Sequence, residues 1–300
     1  MIQVHVSLCD QETVAVSLIR NLPYSFLIVK KIMTICITAI CEEKYVVVAT
    51  DRMITVRVPN IEYEQKGRTK AIEVTQNCIA TTAGSALAYT PIFQDAKTEI
   101  DKQSVKDIGR IADITSKSYV KIRNEVLEEA VLGSVALDLK TFYERNKDLQ
   151  PTLAANIFQA MQRYNHQLWI IIAGVDDFGG HIWHIENPGR KACFDNIGFH
   201  AIGSGQHHAV STFITNEFDP TIDLSHGIAI TFEAKRRSEK ATGVGASTDL
   251  LIVHKDGHKR LSEEEIEQLN RIYKTRLTEE RKAVKKLDEM IKALDFLAKS

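Results

Sequence analysis

The sequence predicts an α+β fold: two antiparallel sheets packed together, helices on the outside, and a helical extension at the C-terminal end. Three observations carry this expectation. Short β-branched runs separated by polar turns open the folded part, a long stretch of helical periodicity follows, and strands then return with helices set among them. Strands and helices come in segregated runs rather than strict alternation, which suits antiparallel sheets better than a parallel arrangement.

Residues 34–41 alternate loosely and 45–50 are a β-branched run, with Glu42, Glu43 and Lys44 as the polar turn of a hairpin. Residues 70–74 and 78–82 form a second hairpin across Thr75, Gln76 and Asn77, and Gly84 ends it. Between 85 and 167 the period changes: Ile92, Ile108, Ile111, Ile114, Val120, Ile122, Val126 and Leu127 recur at helical spacing, and 153–161 continue the trend. Strands follow at 168–175 and 181–185, joined by a turn at 176–180. A short strand at 199–202 runs into Gly203, Ser204 and Gly205, after which 206–215 and 225–238 read as helices. A glycine-bearing turn at 242–245 precedes the last strand, 249–254.

From Leu261 the tail is helical, opened by Ser262 and three glutamates, a good N-terminal signal. Ile266, Tyr273, Leu277, Val284, Leu287, Ile291 and Leu294 fall on a 3/4-spaced stripe broken by Asn270 and Glu280. Such a stripe suits either packing on its own domain or a seam for a partner helix. At the other end, residues 1–32 lack this regularity, with a weak strand-like stretch at 13–19, Pro23 and an apolar cluster at 26–29. The chain therefore divides into an upstream extension (1–32), a main domain (33–260) and a C-terminal amphipathic helix (261–300).

Composition excludes several classes. With 44% hydrophobic and 26% charged residues over 300 positions, the chain has an ordinary globular profile. Its 38 basic and 39 acidic residues leave a net charge of -1, so no global field points to nucleic acid or membrane. Cys9, Cys36, Cys41, Cys78 and Cys193 are scattered, without CxxC spacing, which fits neither a disulfide framework nor a zinc site and suits a reducing cytosol. No apolar run reaches the ~18 residues of a membrane span; Lys30 and Lys31 interrupt the longest candidate, and Asp10 and Glu12 stand where a secretory signal would be basic. A cytoplasmic protein without cofactor or metal is expected.

The specific signal is a series of short segments in order. Met33-Thr34-Ile35-Cys36-Ile37 and Val46-Val47-Val48-Ala49-Thr50-Asp51-Arg52 open it. Lys70-Ala71-Ile72-Glu73-Val74, Ala80-Thr81-Thr82-Ala83-Gly84 and Ile171-Ile172-Ala173-Gly174-Val175-Asp176 follow. Ile202-Gly203-Ser204-Gly205 and Thr248-Asp249-Leu250-Leu251-Ile252-Val253 with Lys255-Asp256-Gly257 close it. Taken together, over about residues 33–260, they resemble the β subunits of proteasomes, members of the N-terminal nucleophile (Ntn) hydrolases. The resemblance implies a four-layer αββα sandwich and a threonine-type endopeptidase that works as a homo-oligomeric ring on unfolded polypeptide or peptide, with an ATPase unfoldase as a further partner.

Residue by residue, the resemblance implies that Thr34 is the nucleophile, Lys70 the lysine beside it, Asp51 the aspartate of the first hairpin and Ser204 the serine of the glycine-serine-glycine turn. Asp51 stands one place further from the nucleophile than usual, because the turn after Cys41 carries one extra residue. A later aspartate and serine fall on Glu239 and Thr242, which keep a carboxylate and a hydroxyl but lengthen the acid by one methylene.

The chemistry demands a chain end. A threonine hydroxyl needs a base, and its own α-amine serves only when no peptide bond occupies it. An α-amine with a reference pKa of about 7.8 is roughly 300 times more often neutral at pH 7 than a lysine amine at about 10.4. Lys70 is then a buried cation that favours the alkoxide, Asp51 holds it, and the Gly84 N–H is the natural oxyanion donor. Thr34 is freed either by translation starting at Met33 followed by methionine removal, or by cleavage of a propeptide at Met33-Thr34, where the resemblance would place glycine before threonine.

Each residue also has a plainer reading. Thr34 alone is a strand threonine, Lys70 a solvated lysine, Asp51 a turn residue pairing with Arg52, and Ser204 a shaper of its turn. His181 and His184, three apart on a strand, face opposite sides and share no metal; His207 and His208 open a helix at the surface. Cys36 reads as packing. The rival functions are an Ntn amidohydrolase acting on a small amide and a non-catalytic, proteasome-like structural subunit.

Overall fold

The computed structural model describes residues 34–58, 61–66, 69–85 and 88–294. The stretches expected at 13–19 and 26–29 lie outside these. The first sheet has the order β10-β1-β2-β11-β12, built from β1 (Ile35–Cys41), β2 (Tyr45–Asp51), β10 (Phe199–Gly203), β11 (Thr248–His254) and β12 (Gly257–Arg260). The second runs β5-β6-β7-β8-β9, from β5 (Ala71–Thr75), β6 (Cys78–Gly84), β7 (Leu168–Asp176), β8 (Gly179–Glu186) and β9 (Arg190–Cys193). Every pairing in both is antiparallel. A separate hairpin, β3 (Met53–Val58) with β4 (Ile61–Lys66), follows β2.

Alternation along each strand explains the layering. Cys36, Ile40, Val46, Val48, Leu251 and Val253 of the first sheet meet Ile79, Ile171, Ala173, Val175 and Ile182 of the second in one buried layer. The intervening residues Ile35, Ile37, Ala39, Val47, Ala49 and Leu250 turn the other way, onto α5 (Gln206–Thr215) and α6 (Leu224–Ser238). On the second sheet Cys78, Ala80, Ile170, Ile172 and Ile185 pack against α1 (Tyr89–Gln103) and α2 (Ile108–Leu127). Because both faces of β1, β2 and β7 are covered, these strands read as near-continuous apolar runs.

Beyond α2, a wider turn at Glu128–Leu132, α3 (Leu139–Arg145) and α4 (Pro151–Arg163) enclose a small core of their own around Leu127, Leu132, Phe142, Ile157 and Met161. The last helix, α7 (Glu263–Lys292), starts with the expected capping box between Ser262 and Glu265. Ile266, Leu269 and Tyr273 lie against the core beside α6, and Arg276 pairs with the buried Glu233. Its later stripe residues are exposed, Val284 at 51% and Leu287 at 54%. Own-domain packing and an open seam are thus successive parts of one helix. Among the described residues no helix is long and apolar enough to cross a membrane.

The sequence expectations did not include β3, β4, β9 or β12. The last two are charged edge strands, Arg190-Lys191 and His258-Lys259-Arg260, and edges carry polar residues that hide the period of two.

Candidate active site

The first hairpin and the segment before β5 converge at one end of the two sheets. Thr34 precedes β1, Asp51 ends β2 in register with Thr248 of β11, and Lys70 directly precedes β5 on the opposite sheet. Asp51 Oδ1 accepts three hydrogen bonds: from Thr34 Oγ1 at 2.9 Å, the Ile35 amide at 3.0 Å and Lys70 Nζ at 2.6 Å. Lys70 Nζ also donates to Thr34 Oγ1. The one hydroxyl thus donates a hydrogen bond to the carboxylate and accepts one from the ammonium. Asp51 is fully buried and Lys70 nearly so, and a buried ion pair persists where extra hydrogen bonds satisfy its remaining valences.

The Thr34 backbone is held from the other side. Ser204 Oγ reaches the carbonyls of Thr34 at 3.3 Å and Thr242 at 3.2 Å, so Ser204 touches the main chain of Thr34 rather than its hydroxyl. Gly203 has a φ of 110°, and a Cβ there would stand 2.3 Å from the Thr34 carbonyl oxygen. Only glycine permits this approach. Gly84 closes β6 at a φ of 116°, with Gln167 O 2.0 Å from where a Cβ would fall. Two residues before it, the Thr82 carbonyl accepts the Cys36 thiol at 3.4 Å, which brings the end of β6 beside the start of β1.

Glu239 and Thr242 are not brought onto the Thr34 hydroxyl. The Glu239 carboxylate is taken by Lys235 at 2.6 Å and Arg236 at 2.9 Å, and Thr242 meets Ser204 through its carbonyl. Lys235 explains the first of these. Its side chain is fully buried, and burial pulls its pKa down while Glu239 pulls the other way. Its ammonium also donates to the carbonyls of Gly245 at 2.8 Å and Ala246 at 3.0 Å. The Gly245 amide in turn donates to Asp51 Oδ2 at 3.1 Å. A clamp therefore runs from Glu239 through Lys235 and Gly245 to the carboxylate that holds Thr34.

Sequence reasoning missed Lys235, although it falls between Thr231 and Ser238 on the buried face of α6 and Glu239 lies four residues on. It also missed Asp249. That fully buried carboxylate accepts Thr69 Oγ1 at 2.6 Å and pairs with Arg260, anchoring the residue before Lys70. Arg52 turns to Asp249 at 3.5 Å and to Glu263, so Asp51 is left to the threonine and the lysine.

Burial pushes the Cys36 thiol up to about 12, which leaves it unreactive at neutral pH. His181 is held between Asp176 at 3.0 Å and Asp195 at 2.6 Å, whereas His184 lies against His200 with ring centres 4.7 Å apart. His207 and His208 are exposed at the start of α5.

Fold and site together describe two packed antiparallel sheets with a buried threonine–lysine–aspartate cluster at the open end of the first hairpin. No known protein-family profile matches the chain. A protein described as proteasome subunit beta, from Archaeoglobus profundus, is 27% identical over 179 residues, covering 57% of this chain and 80% of that protein. This distant likeness supports a proteasome-like family and points to a peptidase or subunit of that kind.

Proposed function

We propose that the protein is a proteasome β-type threonine peptidase on the four-layer Ntn fold, with Thr34 as nucleophile once the Met33–Thr34 bond is gone. The observation that carries this reading is the contact of one ammonium, Lys70, with both the Thr34 hydroxyl and the Asp51 carboxylate. The proposal extends to the setting: a homo-oligomeric ring in the cytoplasm taking unfolded chains, with an ATPase unfoldase as partner.

In this reading the freed α-amine of Thr34 takes the hydroxyl proton as Oγ1 attacks the scissile carbonyl. Lys70 favours the developing alkoxide, and the Gly84 amide receives the oxyanion. The amine returns the proton to the leaving nitrogen, the C–N bond breaks, and an ester to Oγ1 remains. Water, deprotonated by the same amine, opens the ester and restores the hydroxyl. Asp51 holds Lys70 and the Ile35 amide so that the three groups keep their spacing.

One observation favours a second reading. Glu239 is engaged by Lys235 and Arg236 rather than by the Thr34 hydroxyl, which would suit a non-catalytic subunit. Fluorogenic peptides and small amides tried on protein processed to Thr34 separate the cases. Turnover of peptides supports the peptidase, turnover of small amides alone supports the amidohydrolase, and no turnover by the assembled protein supports the scaffold.

A further inference from the structure

The C-terminal half of α7 leaves its own domain with an apolar seam uncovered. Val284, Leu287 and Ile291 of α7, with Leu294 two residues past its end, follow one another at intervals of three and four, and each is about half exposed. That spacing is the a/d pattern of a two-helix coiled coil, with Leu277 and Glu280 forming the preceding pair. Charged residues such as Lys285, Lys286 and Glu289 occupy the outer face.

We infer that this seam binds the same segment of a second copy, antiparallel. The charges choose the occupant and its direction. In a parallel, in-register pair, Glu280 would face Glu280 of the other copy within the seam, and like charges there oppose pairing. In an antiparallel pair a positions meet d positions, so Val284 packs on Leu287 twice across the interface. This register sets Arg281 opposite Asp288 twice, once on each side of the two-fold axis. Sliding the helices by one heptad either way sets Arg281 against Arg281 or Asp288 against Asp288. Glu280 then lies beside Ile291 of the other copy, with Arg237 of its own α6 at 4.0 Å to receive its carboxylate. The surface is self-complementary, as a two-fold interface must be, and is independent of the catalytic reading.

The test uses full-length protein in two arms. Arg281→Cys combined with Asp288→Cys should give inter-chain disulfides under oxidised glutathione, while each single variant should not. In sedimentation at low salt, Arg281→Glu or Asp288→Arg alone should weaken helix-mediated association about tenfold, and the two together should restore it. Leu287→Asp should abolish it with the circular dichroism unchanged. Absence of the double-cysteine cross-link, association indifferent to Leu287→Asp, or failure of the charge exchange to restore it would each overturn the antiparallel pairing.

Discussion

Lys70 and Asp51 stand on opposite sheets, yet the ammonium lies 2.6 Å from the carboxylate and both touch the hydroxyl of Thr34. The pair ties the sheets together at the end of the sandwich where Thr34 sits. In the proposed reaction it fixes the nucleophile and supplies positive charge as the alkoxide forms.

Removing either partner leaves the other as a buried, uncompensated charge. Lys70→Met and Asp51→Asn should each lower kcat by about 10²- to 10³-fold, with KM nearly unchanged, because the lost interaction belongs to the transition state. Steady-state kinetics on a fluorogenic peptide check this split.

The clamp behind Asp51 should matter to stability and activity together. Lys235→Met leaves the Gly245 carbonyl without its donor and Glu239 with Arg236 as its remaining cation, and each buried acceptor left unsatisfied costs about 1–3 kcal/mol. A drop in Tm accompanied by a lower rate of acyl-enzyme formation is expected. If Tm falls while the rate of acylation per folded molecule is unchanged, the link through Gly245 to Asp51 is wrong.

Two histidines set opposite pH limits. The Asp195 carboxylate, with Asp176 beside it, raises His181 from 6.5 to about 8, so its contribution, about 2 kcal/mol, is full below pH 6.5 and lost as pH rises through 8. Burial against His184 and Phe194 lowers His200 from 6.5 to about 3. Its contribution is full above pH 6.5 and lost as pH falls towards 3. Urea unfolding across this range should show His181→Gln flattening the alkaline limb and His200→Phe flattening the acid limb.

Strands buried on both faces were legible in the sequence because β-branched runs such as Val46-Val47-Val48 leave no helical alternative. The helices α5 and α6 were equally plain from their periodicity and the preceding glycine turn. The edge strands β9 and β12 were not, since one open side lets lysine and arginine mask the pattern. In the site, Thr34, Asp51 and Lys70 were reached through the segments that resemble a known family. The clamp was hidden for a different reason. A buried lysine is unusual enough that helical spacing alone reads Lys235 as solvated, and only the Glu239 carboxylate together with the carbonyls of Gly245 and Ala246 reveals what offsets its burial cost.

If Thr34 acts through both its hydroxyl and its own α-amine, an electrophile that must bond the two groups together, such as a peptide epoxyketone, will capture it. Intact-mass analysis of the native protein after treatment should show one adduct on a chain beginning at Thr34, and none on Thr34→Ala. A native chain that still carries residues before Thr34, or a correctly processed and assembled chain that takes no adduct, would rule out Thr34 as the nucleophile.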